Sequence, residues 1–272
     1  MLSVTRHCRF PNQDSTMSAL PTIFLSHGSP MLALQDTPAR RFLQGLGKSL
    51  ARPQAIVVVS AHWESNELLV NGNPQPETWH DFGGFPQALH EVQYPAPGHV
   101  ELAEKVADAT GGKVRTDWGL DHGTWCVLRR MFPNADVPVV QLSIDRGKRF
   151  DEHLALGRSL APLRDEGVLV LGSGNIVHNL RDAIGHMRTG DLGTPAWAAR
   201  FDEATAQAVQ EHDLDALVAL GSSPDARHAH PSLEHWIPIL YAAGASRSDD
   251  AVSFPIQGFD WGSLSMRAVR FG

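Results

Sequence analysis

The sequence predicts an α/β fold: a three-layer α/β/α sandwich around a mixed, mostly parallel sheet. Three observations predict it. Short apolar runs recur without polar alternation, the pattern of strands covered on both faces. Amphipathic segments with helix start and stop residues lie between them. The C-terminal stretch, 251–272, has strand character, which suggests an antiparallel edge.

The elements follow in order. "TIFL" (22–25), "AIVVV" (55–59), "PVVQL" (138–142) and "GVLVLG" (167–172) are the buried strands. Between them, 37–50 has Pro38 at its first turn and Pro53 beyond its end, which bound a helix. In 98–112, Val100, Leu102, Ala103, Val106 and Ala107 form an apolar face, and Gly111-Gly112 stops the helix. Residues 151–167 form a helix ending in glycine before the next strand. Residues 194–221 form a long helix with a break near Asp213. Residues 231–245 form the last helix, with Ser232 as N-cap. No linker or repeat divides 21–272, so a single catalytic α/β domain is expected there. Residues 1–20 are expected to be a disordered extension, with order beginning near Pro21. The Gly/Pro-rich segment 71–87 is long for a loop in a compact domain, and such loops often carry function.

Composition excludes several classes. The chain of 272 residues is 42% hydrophobic, enough for a sizeable core, with a formal net charge of −7 and no basic block. Nucleic acid and anionic membrane surfaces are therefore not expected partners. No apolar run is long enough to span a bilayer, and the first 16 residues lack a hydrophobic signal core. Two cysteines, Cys8 and Cys126, give no disulfide framework and no CxxC. A cytoplasmic protein, monomeric or a small homo-oligomer, is the expectation.

Chemistry enters with the fourteen histidines. His27 lies two residues beyond a buried run, His62 three beyond another, and His178 about a helical turn beyond a third. One histidine after a strand is ordinarily bonded to a backbone carbonyl. Three in matching positions suit a metal or acid–base site, because open parallel sheets bind ligands beyond the carboxyl ends of their strands. His153, His186 and His212 lie among charged or polar residues and are expected on solvated faces. His228 and His230 are expected in a loop. "GSG" at 172–174 resembles half of a phosphate loop, but no GxGxxG or GxxxxGK[ST] is present. "SHGSP" and "LGSGN" are not the GxSxG nucleophile elbow of serine hydrolases.

Several stretches occur together in order: "LSHGSPM" (25–31), "VVVSAHWE" (57–64), "HDFGGFPQAL" (80–89), "YPAPG" (94–98), "GLDHGTW" (119–125), "VQLSID" (140–145), "GSGNIVHNLR" (172–181) and "EHWIPILYAAGA" (234–245), with "GSLSMRAV" (262–269) near the end. In these the sequence resembles the class III extradiol ring-cleavage dioxygenases of the LigB type, and within them the 4,5-DOPA extradiol dioxygenase subgroup. The resemblance runs from about Pro21 to Gly272.

That resemblance implies a non-haem metal, Fe(II) in the active enzyme, with Zn(II) expected in purified protein because zinc outcompetes iron at most N/O sites. It implies His27, His62 and His235 as metal ligands. Glu234 is the reserve for the third, since neighbouring side chains on a helix point about 100° apart and one should reach the metal. It implies His178 as the catalytic base beside the metal, and His122 as a catalytic histidine lining the substrate pocket. His80 is a further candidate for substrate contact, while Asp81 and Trp63 are expected to be structural. The implied reaction opens a catechol ring with O2 to a muconic semialdehyde. Two other readings stand beside it: a zinc-dependent hydrolase using the same histidines to activate water, and a metal- or aromatic-binding protein on an inherited fold.

Overall fold

The computed structural model describes residues 19–191 and 193–272. Most of the expected extension, 1–18, lies outside the described residues. Leu20, at the end of that stretch, is buried, and its backbone exchanges hydrogen bonds with Arg164. Among the described residues, packing thus already includes Leu20.

The strands are β1 (Thr22–Ser26), β2 (Ala55–Ser65), β3 (Leu69–Asn71), β4 (Lys113–Arg115), β5 (Val139–Asp145), β6 (Val168–Gly174), β7 (Val252–Ser253), β8 (Phe259–Asp260), β9 (Leu264–Ser265) and β10 (Val269–Phe271). Eight of them form one sheet in the order β4-β3-β5-β2-β6-β1-β10-β7, and β8 pairs with β9 apart from it. The central run β5-β2-β6-β1 is parallel. β10 is antiparallel to both β1 and β7, so the expected antiparallel edge is present.

The helices are α1 (Pro38–Ser49), α2 (Gln87–His90), α3 (Val100–Thr110), α4 (His122–Met131), α5 (Phe150–Leu160), α6 (Leu180–Thr189), α7 (Ala196–Gln210), α8 (Leu214–Leu220), α9 (Ala226–Ala229) and α10 (Ile237–Gly244). Along β2, Ile56 and Val58 pack with α1 and α4 on one side. Val57 and Val59 pack with α3 and α5 on the other. A third cluster joins Phe24 to α7, α8 and α10. Helices thus cover both faces of the sheet, the three layers that the uninterrupted apolar runs imply. The break expected near Asp213 is real: its side chain caps α8 by accepting from the Ala216 amide. No helix among the described residues is long and apolar enough to cross a membrane.

Several readings need correction. His153 is fully buried, not solvated, and its Nδ1 lies 3.0 Å from the Tyr241 hydroxyl of α10. Its sequence neighbours are charged, but its helix face is the one pressed against α10. His212 is half-buried at φ 52°, with Nε2 3.0 Å from the Asp250 carbonyl. His186 is also half-buried, with Nδ1 2.8 Å from the Asp191 carbonyl. His228 belongs to the one-turn helix α9, and buried His230 caps its C-terminus. The last long helix is split: Leu233–His235 is a 3₁₀ turn and α10 starts after it. Helices α4 and α6 were not expected.

Candidate active site

The carboxyl ends of β1, β6 and β2, three neighbouring strands, assemble the site. His27 follows β1 directly, its amide held by the Gly174 carbonyl of β6 at 2.9 Å. His62 lies inside β2, not beyond it. The ladder from β2 to β5 steps from Val59–Leu142 to Glu64–Ile144, so residues 60–63 oppose a single residue, 143. Such a bulge turns side chains out of the pleat, and here it aims His62 at the site from within a rigid strand.

The third contributor rests on two glycines. A Cβ on Gly172 would lie 2.3 Å from the Pro238 carbonyl oxygen, and one on Gly174 would lie 2.3 Å from the His235 carbonyl oxygen. The "GSG" stretch is thus no phosphate loop. Its glycines let the His235 turn and the start of α10 lie directly on β6. Ser173 points to the other face.

His27, His62 and His235 converge. The ring centroids are 4.9 Å apart for His27–His62, 5.2 Å for His27–His235 and 5.1 Å for His62–His235. Each Nδ1 faces a partner. His27 Nδ1 is 3.1 Å from Ser173 Oγ, which itself donates to the Gly123 carbonyl at 2.5 Å. The Ser173 hydroxyl therefore accepts from the imidazole, so Nδ1 carries the proton. His62 Nδ1 is 3.3 Å from Asp81 Oδ2, and His235 Nδ1 is 2.8 Å from Glu234 Oε1. Glu234, the reserve ligand, is engaged with His235 Nδ1 and the Ser232 hydroxyl. It acts on the imidazole from behind, as outer carboxylates do for metal-bound histidines.

With hydrogens on Nδ1, each of the three clustered rings keeps a lone pair on Nε2; donor atoms of His27, His62 and His122 lie within 4.8 Å of one another, and so do those of His178, Glu234 and His235. His27 and His62 Nε2 are 3.1 Å apart, and His235 Nε2 is buried without a hydrogen-bond partner. Facing lone pairs repel unless a cation lies between them, so the donor set fits a divalent metal. Burial pushes the pKa of His27 and His235 well below that of free imidazole, with like charge from the other histidines adding to it, and brings His62 to about 3. All three are therefore neutral donors at physiological pH, as metal binding requires.

Two more imidazoles flank this set. His178 stacks on His235, with centroids 3.4 Å apart and planes 9° from parallel. Burial lowers its pKa to about 4, with His122 contributing. His122 stands 3.8 Å from the His62 ring, at the first turn of α4, which Asp121 caps. Its amide and Nδ1 both meet the carboxylate of Asp81, in the 71–87 loop. His80 does not join them: its Nε2 is 2.9 Å from the Val92 carbonyl, and its ring lies edge-on to Trp125 and Phe82. It braces the loop instead of facing the site, so the suggested substrate contact is dropped. Trp63 is buried and stacks on Trp118, as a structural residue would.

Sequence reasoning missed Ser173 and undervalued Asp81, whose carboxylate reaches both His62 and His122. The "HDFGGF" motif held the signal, a carboxylate in a matched stretch beside a histidine.

The support from glycine is testable. A Cβ at Gly174 meets backbone, which no rotamer relieves, so Gly174→Ala must displace the His235 turn. Zinc affinity, measured by competition with a chromophoric chelator, should fall about 10–100-fold, the usual effect of losing a ligand's support. Unchanged affinity would show that the turn does not depend on this close approach.

A family model described as the catalytic LigB subunit of aromatic ring-opening dioxygenase matches residues 21–268. A relative from Escherichia coli K12 named 4,5-DOPA dioxygenase extradiol is 44% identical, covering 96% of this chain and 98% of its own. One of the same name from Beta vulgaris is 37% identical, covering 92% and 96%. The crystal structure of an uncharacterized protein from Escherichia coli K12 matches with a TM-score of 0.81 at 39% identity, covering 93% of this chain and 100% of that one.

Proposed function

The chain belongs to the LigB family of aromatic ring-opening dioxygenases, and on that premise we propose that it is a metal-dependent extradiol dioxygenase acting on a substituted catechol, DOPA or a DOPA-like diol. The product is a muconic semialdehyde. One observation carries the reading: the His27, His62 and His235 rings cluster at the strand ends with two further imidazoles beside them. A site that only stored a metal would not need His178 and His122.

His27, His62 and His235 hold the ion, Fe(II) in the active enzyme and Zn(II) where zinc has displaced it. When bound, iron supplies a Lewis acid for the diol and a path for electrons from the ring to O2. The protein supplies the rest. His178 is unprotonated at neutral pH and takes the proton of the second hydroxyl. The arriving catecholate raises its proton affinity when a base is needed, because opposite charge favours the imidazolium. His178 then returns that proton to an oxygen as the ring opens. His122 contacts a substrate oxygen from the opposite side. Atoms balance without a further reactant: one oxygen of O2 ends in the new carboxylate, the other in the aldehyde.

The test is to strip the metal, reload Fe(II) without air, then admit O2 with DOPA, caffeate, protocatechuate and an alkyl catechol in turn. One O2 consumed per ring and visible absorbance of a semialdehyde are expected, dependent on Fe(II). Bound Fe(II) with no catechol consumed would sink the reading. Zinc-loaded protein would then be assayed anaerobically for ester and amide hydrolysis.

A further inference from the structure

We infer that Asp81 is a positioning residue that sets the tautomers of two imidazoles with one carboxylate, readying His62 for the metal and His122 to accept a hydrogen bond from substrate. The inference rests on the proposed function for what the two histidines meet, but its geometry stands apart from it.

Asp81 Oδ1 accepts from the His122 backbone amide at 2.9 Å. Asp81 Oδ2 lies 3.0 Å from His122 Nδ1 and 3.3 Å from His62 Nδ1. A carboxylate only accepts, so neutral His122 carries hydrogen on Nδ1, and the negative charge 3.3 Å from His62 Nδ1, an ion-pair contact, favours hydrogen there as well, leaving each ring a lone pair on Nε2. For His62 that nitrogen lies 3.1 Å from His27 Nε2. His122 belongs to the same cluster, since one nitrogen of each of His27, His62 and His122 falls within 4.8 Å of the others. A catechol hydroxyl would therefore donate to His122 Nε2.

The carboxylate is held in place to do this. The chain before it is stitched to the chain before α4: Trp79 N donates to the Leu120 carbonyl and Leu120 N to the Glu77 carbonyl. The Trp125 indole donates to the Trp79 carbonyl at 2.8 Å. A carboxylate at the N-terminus of α4 also suits the helix dipole. Glu234 and Ser173 each serve one imidazole; Asp81 alone joins the metal-facing and substrate-facing histidines. The long Gly/Pro-rich loop thus carries a function, which is to deliver Asp81.

A merely structural role, pinning the loop to α4 through the His122 amide, predicts something else. In Asp81→Asn the side-chain oxygen can still accept from that amide. The NH2 group then faces both Nδ1 atoms as a donor, which drives hydrogen onto Nε2 of both rings. The experiment is imidazole ¹⁵N NMR of the metal-free full-length chain, wild type and Asp81→Asn, with zinc affinity measured on each. Expected are Nδ1–H tautomers for His62 and His122 in the wild type and Nε2–H tautomers in the variant. Zinc binding should weaken about 10–100-fold while thermal unfolding is little changed. An Nε2–H tautomer at His122 in the wild type overturns the inference, even if the variant fails to fold. So does a variant with unchanged tautomers and zinc affinity. Neither readout involves catechol turnover, so failure of the proposed reaction would leave this result standing, and the reverse.

Discussion

His235→Ala should lose metal and turnover together, with zinc affinity lower by more than about a hundredfold and no measurable O2 uptake. The expectation follows from what each side chain of the Glu234–His235 pair faces. His235 keeps a buried, unpartnered Nε2, with its ring 5.2 Å from that of His27 and 5.1 Å from that of His62, and Glu234 lies 2.8 Å from its Nδ1. Removing the imidazole leaves two nitrogen ligands for an ion that takes at least three from the protein in such sites. Removing the carboxylate leaves all three nitrogens but frees the ring to rotate or change tautomer. Glu234→Gln should therefore cost only about 10–100-fold in affinity and retain turnover at saturating metal. Chelator competition and an oxygen electrode on the two variants separate the roles. The opposite ranking, with Glu234→Gln metal-free and His235→Ala still loaded, would make the carboxylate the ligand.

How much of this was readable in the chain depends on whether the cue was local. The central strands were legible because Val57 and Val59 face one layer while Ile56 and Val58 face the other, so no polar residue is tolerated among them. His27 was legible because it directly follows such a strand. His62 was placed beyond its strand, because sequence gives no sign that β2 continues through a bulge to Ser65. Helix α4 was hidden because nearly all its residues are buried, which removes the polar face that periodicity reads. The misreading of His153 has a similar cause. Gly157, one turn later, lets α5 approach α10 so closely that its Cβ would be 2.6 Å from the Tyr241 carbonyl oxygen. That contact buries the face His153 shares. The tautomer partners were least legible, since Ser173 and Asp81 meet their imidazoles only after three strands and a long loop are assembled.

His178→Ala should keep its metal and lose about 10²–10⁴-fold in kcat, the range for removing a general acid–base group. His178 stacks on His235 and is not one of the three proposed ligands, so its loss leaves those ligands and their Nδ1 partners in place. The pH dependence carries the sharper test. To accept the hydroxyl proton His178 must start unprotonated, and burial puts its pKa at about 4, below that of free imidazole. A lowered pKa means the active, neutral form is full above that value and is lost as pH falls through it. The wild-type kcat/KM, which reports groups of the free enzyme, should therefore show no limb from this histidine between pH 6 and 8. A bound cation close by would push the pKa further down, in the same direction. An acid limb near the ordinary imidazole value of about 6.5 that vanishes in His178→Ala would contradict the burial seen here. A variant with wild-type kcat would move the base elsewhere, and His122, held by Asp81 with its Nε2 free, is the group next to the same ring.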